Sequence, residues 1–139
     1  GVELLSVGGF RFKNFISLAA ILGKRVAIIT DNDGRTKEDI KNLYLDEELK
    51  TSHDTISVFT CEETANSTLE IAFINKNKER LADLAKIIRK KKEKDDSVDK
   101  LQDFMLKNKT TWAYRLLESK DRSFETPDYI EEAIKWIYE

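Results

Sequence analysis

A chain of 139 residues buries roughly two thirds of the surface its unfolded form exposes, so one domain of ordinary size with a real core is expected. With 40% hydrophobic and 36% charged residues, one Pro and five Gly, the composition excludes a linker or a disordered tail. The formal net charge of -2 excludes a body that binds DNA by overall charge, so any contact with a nucleic acid has to be local.

Cys61 is the only cysteine and His53 the only histidine, so neither an internal disulfide nor a cysteine-based zinc site is available. A reducing, cytoplasmic setting is expected. The longest apolar stretch, residues 15–22 broken by Ser17, is far short of the ~20 residues of a membrane span, and no signal peptide is expected ahead of residue 2.

In chain order, Val2-Glu3-Leu4-Leu5-Ser6-Val7 reads as a buried strand with Gly8-Gly9 as its exit turn. Phe12, Phe15, Ile16, Ala19, Ala20 and Leu22 recur at helical spacing, and Gly23 suits the left-handed position that ends a helix. Arg25-Val26-Ala27-Ile28-Ile29-Thr30 is an apolar run without alternation, as in a strand covered on both faces, which completes a βαβ unit. A polar segment, residues 35–53, leads to a further buried strand at 55–59. From about Asn66 the pattern turns helical, over 69–74, 79–92, 98–106 and 109–117. Thr126 and Pro127 then announce a last helix carrying Ile130, Ala133, Ile134 and Ile137. The reading is an α/β part, residues 1–65, followed by a helical part, residues 66–139, with no compelling domain boundary.

The residues with most chemical content are Thr30-Asp31-Asn32-Asp33-Gly34, at the carboxyl end of a covered strand, where open α/β sheets bind ligands. Two carboxylates two residues apart face the same way if the chain stays extended, with Asn32 pointing away, and Mg²⁺ commonly takes one or two carboxylates plus waters and phosphate oxygens. The same residues also make ordinary strand-to-helix turns. An EF-hand loop is excluded, because taking Gly34 as its sixth position puts Ile29 first and Ile40 twelfth. Glu62 and Glu63 follow the neighbouring strand. Glu70 opens a helix, where an acid also complements the helix dipole, and Lys109 taken alone is a surface lysine. Lys86, Arg89, Lys90, Lys91, Lys92 and Lys94 form the one basic cluster, read either as a solvated helix end or as a phosphate-contacting patch.

The succession of Glu3-Leu4-Leu5-Ser6-Val7-Gly8-Gly9, Val26-Ala27-Ile28-Ile29-Thr30-Asp31-Asn32-Asp33, Thr68-Leu69-Glu70, Asn108-Lys109 with Trp112-Ala113, and Pro127-Asp128-Tyr129-Ile130 with Ala133-Ile134 resembles the Toprim domain of OLD-family (overcoming lysogenization defect) ATP-dependent endonucleases. The resemblance spans nearly the whole chain, through short motifs whose order is the specific part. It implies a Toprim-like, Rossmann-like, mostly parallel sheet with flanking helices, and DNA cleavage at a two-metal Mg²⁺ or Mn²⁺ site. It also implies an ABC-type ATPase domain in the same polypeptide, which would bring ATP, and homo-oligomerisation. Asp31, Asp33 and Glu70 would then be metal ligands, and Lys109 would stabilise charge on the scissile phosphate.

Toprim domains begin with a strand bearing a glutamate motif, which nothing in this chain supplies. The expectation is a partial domain with little or no cleavage alone and an open sheet edge able to pair with another chain. Two other classes compete with the nuclease reading. One is a non-catalytic metal- or phosphate-binding α/β module, and the other is an interaction domain in which Trp112, Tyr114, Tyr129, Trp136 and Tyr138 serve only as core and interface.

Overall fold

The fold, given by a computed structural model, is described for residues 1–6, 12–45, 47–50, 54–90 and 97–139. These residues form two compact units, Gly1–Ser67 with Asp128–Glu139, and Thr68–Pro127.

In the first unit, strands β1 (Val26–Ile29) and β2 (Ile56–Phe59) pair in parallel, Val26 opposite Ile56 and Ile29 opposite Phe59. Helix α1 (Phe12–Ile21) precedes β1, while α2 (Lys37–Tyr44) and α3 (Glu47–Lys50) carry the chain back to the start of β2, the crossover that parallel strands require. Phe12, Ile16 and Ala20, four residues apart, turn one face of α1 into a core with Ile28, Ile40, Leu45, Ile56 and Val58. Side chains alternate along a strand, so Phe59 lies on the opposite face, where its ring meets Trp136 at 5.9 Å. Trp136 belongs to the final helix, Asp128–Tyr138, numbered α8 because four helices of the second unit precede it. Gly23 ends the α1 segment at φ 61°, the left-handed geometry expected of it.

The sheet is smaller than the sequence suggests. Residues 2–6 form no strand and are exposed, because an apolar run becomes a strand only where a neighbour takes its backbone hydrogen bonds, and no strand among the described residues pairs with it. Val7 and the Gly8-Gly9 turn lie outside the described residues. The polar segment after Arg35 contains α2 and α3. Thr36 caps α2 by accepting the Asp39 N–H at 3.2 Å, a cap signal that a purely hydrophobic reading passes over.

The second unit holds α4 (Leu69–Lys76), a single 3-10 turn (Lys78–Arg80), α5 (Leu81–Arg89), α6 (Val98–Lys107) and α7 (Lys109–Ser119). Phe73, Ile74, Leu84, Ile88, Leu101, Met105 and Trp112 make its core. The helix expected over 79–92 is shorter, because its first turn is 3-10 and Lys90 adopts a left-handed φ of 55° just after Arg89. Lys91, Lys92, Lys94, Asp95 and Asp96 lie outside the described residues, as does His53.

Buried Asn77 ends α4 and anchors the incoming loop. Its amide donates to the carbonyls of Phe73 and Glu125, both at 2.9 Å, and its oxygen accepts the Glu125 N–H at 2.8 Å. Beside it, Arg80 donates to Asp83 and Asp121 at 3.2 and 3.1 Å, with its guanidinium 4.3 Å from the centre of the Phe124 ring. Hydrogen bonds from Ser123, joined by that from Arg80, hold the Asp121 carboxyl down at about 2.

Ile88→Ala, at a position with no solvent exposure, is expected to destabilise the second unit by about 2–5 kcal/mol in urea unfolding. Ile21→Ala, on the exposed side of α1, should stay within about 0.5 kcal/mol. Asp121 binds its proton less readily folded than unfolded, so its stabilising contribution is complete above about pH 3.9, the unperturbed value, and is lost as pH falls through about 2. Acid titration of helicity should show the loss in that window, and Asp121→Asn should abolish that part of the pH dependence.

Candidate metal site at the carboxyl end of the sheet

Thr30 follows β1 and donates its N–H to the Phe59 carbonyl at 3.1 Å, so the carboxyl ends of the two strands lie side by side. The Thr30 hydroxyl lies 3.3 Å from the Asp31 carbonyl, to which it donates, and 3.1 Å from the Tyr44 hydroxyl. Beyond Thr30 the chain turns sharply into α2. Asp33 and Gly34 are both left-handed, at φ 49° and 79°, and Asp33 donates its N–H to the Ser67 carbonyl at 3.1 Å. Asp is among the few residues besides Gly that take this conformation at modest cost.

Asn32 holds the arrangement together. It has no solvent exposure, and its amide donates to the carbonyls of Cys61 at 2.9 Å and Glu63 at 3.0 Å. Its side-chain oxygen accepts the Gly34 N–H at 2.8 Å. One amide thus satisfies three backbone groups and ties the loop after β1 to the loop after β2.

Asp31 is half-buried and Asp33 exposed, on either side of that clamp. The expectation that both face one way relied on extended chain through Asp33, and the left-handed turn there removes that premise. The acids after β2 are engaged locally. Lys37 donates to Glu62 at 2.8 Å and holds its carboxyl below the usual range, while Glu63 accepts from the Asn66 amide at 2.9 Å.

Glu70 and Lys109 belong to the second unit. Glu70 is buried in the first turn of α4, whose N-cap, Thr68, accepts the Ile71 N–H at 3.5 Å. Lys109 is exposed at the start of α7. Among the described residues no group of three or more His, Cys, Asp or Glu side chains is placed to hold a metal ion.

Two features escape a reading for charges. The Asn32 clamp is signalled by Asn-Asp-Gly, a sequence suited to a side chain that bonds the backbone two residues on. Thr60, just past β2 and 1% exposed, has a buried hydroxyl with no hydrogen-bond partner among the described residues, which nothing in the sequence announces.

Asn32→Leu strands the carbonyls of Cys61 and Glu63 and the N–H of Gly34, and should cost about 2–4 kcal/mol in thermal or urea unfolding. Asn32→Asp keeps the acceptor for Gly34 but sets a carboxylate against two carbonyls, and should also destabilise. Comparison with protein-family models, with curated proteins and with solved structures finds no match for this chain.

Proposed function

We propose that this chain is the Toprim-like part of a metal-dependent DNA endonuclease of the OLD type, in which Asp31 and Asp33 hold Mg²⁺ or Mn²⁺ and act on a phosphodiester. The observation that carries this reading is the acidic turn at the carboxyl end of a parallel strand pair, held rigid by the buried Asn32 amide. Mg²⁺ is satisfied by one or two carboxylates with waters and phosphate oxygens, so Asp31 and Asp33 meet the minimum donor set. A bound divalent ion supplies Lewis-acid polarisation of the scissile phosphate. The roles of Glu70 as a further metal ligand and of Lys109 as a charge stabilising the phosphate rest on the sequence resemblance alone. The DNA substrate, an ABC-type ATPase domain in the same polypeptide and the use of ATP belong to this proposal through the sequence resemblance alone.

The left-handed Asp33 favours a second reading, an ion- or phosphate-binding module without turnover, because it turns the chain away from the extended geometry that aligns the two acids. Mn²⁺ titration followed by electron paramagnetic resonance should show binding that Asp31→Asn and Asp33→Asn each weaken roughly tenfold or more. Cleavage of plasmid DNA by a polypeptide that also carries the ATPase domain should fall roughly 10²–10³-fold with Lys109→Ala while Mn²⁺ affinity is kept. Ion binding without cleavage selects the second reading, and Mn²⁺ affinity indifferent to both aspartates sinks both.

A further inference from the structure

We propose that the outer edge of β1 is a strand-addition site, filled in solution by residues 2–6 of a second copy of this chain in reciprocal exchange. The first observation is the polarity of the β1 backbone. Val26 and Thr30 donate their N–H groups to Thr55 and Phe59 at 2.7 and 3.1 Å. By the period of two along a strand, the N–H and C=O of Ala27 and Ile29 point the other way, and no strand among the described residues pairs there. Ile29 remains 43% exposed on this strand, an edge open to addition.

The second observation is an arm of matching character. Val2-Glu3-Leu4-Leu5-Ser6 has no Pro or Gly, takes part in no helix or strand, and exposes Leu4 at 93% and Leu5 at 69%. Among the described residues neither the arm nor the edge has a strand partner, and a two-fold exchange between copies supplies both at once.

Charge fixes the register. Arg25, immediately before β1, is exposed, with its guanidinium 4.2 Å from the centre of the Trp136 ring. An arm running parallel to β1 with Glu3 opposite Arg25 sets Leu5 opposite Ala27 on the Trp136 face, and Leu4 opposite Val26 on the face of Ile28 and the α1 core. The arm and edge together involve fewer than the roughly 20–30 residues a side of a standard interface, so the dimer is weak and concentration-dependent. This inference is independent of the nuclease reading.

Sedimentation equilibrium of the whole chain over the micromolar to millimolar range tests it. Dimer is expected at the upper end, and Glu3→Arg and Arg25→Glu should each weaken it roughly tenfold or more, because each brings like charges together at both contacts. An equimolar mixture of the two single variants restores opposite charges at both contacts and should recover the dimer, which arm pairing within one chain cannot do. A monomer throughout, a dimer indifferent to both reversals, or a mixture that stays monomeric overturns the proposal. Both changes are at exposed positions, and unchanged far-UV circular dichroism confirms that the variants compared are folded.

Discussion

The arrangement of the candidate site depends on one buried amide. Parallel strands end at the same side of a sheet, and here the loop after β1 leads in sequence to α2 while the loop after β2 is a separate stretch, residues 60–67. Asn32 joins the two loops by accepting from its own turn and donating to two carbonyls of the neighbouring loop. Because Asn32 is fully buried, those bonds are costly to lose, and the amide shapes the turn from which Asp31 and Asp33 project. Lys37 with Glu62 adds a salt bridge at the surface of the same junction, where solvent screening keeps its contribution small.

Much of the fold was legible because apolar period and caps are local signals. The strands at 26–29 and 56–59, the stop at Gly23 and the last helix after Pro127 followed from side-chain pattern and backbone restriction. The segment 2–6 reads as a strand in sequence but is none in the fold, because a strand is a relation between two stretches of chain, and its own pattern cannot reveal that no strand among the described residues pairs with it. The helix expected over 79–92 is present as Leu81–Arg89 but shorter: its apolar period is sound, and the 3-10 entry and the left-handed Lys90 are backbone choices that charged residues do not advertise.

The candidate site was legible in position and not in geometry. Asp31 and Asp33 stand out by their place after a covered strand, yet the conformation of Asp33 follows from the turn that Asn32 closes. Glu70 drew attention as an acid at a helix start, and its burial could not be read from its neighbours in sequence. No helix among the described residues is long and apolar enough to cross a membrane, in keeping with the short apolar runs.

The first unit is discontinuous: its sheet comes from the early part of the chain, and the helix that covers the Phe59 face comes from Asp128–Tyr138. A ribosome therefore releases the whole of Thr68–Pro127, a contiguous segment with its own core, before the last wall of the α/β unit exists. Until then Phe59 has no Trp136 to pack against. Synthesis order makes the helical insert the part able to mature first and leaves the α/β unit to close by a long-range contact, the slower kind of step in folding.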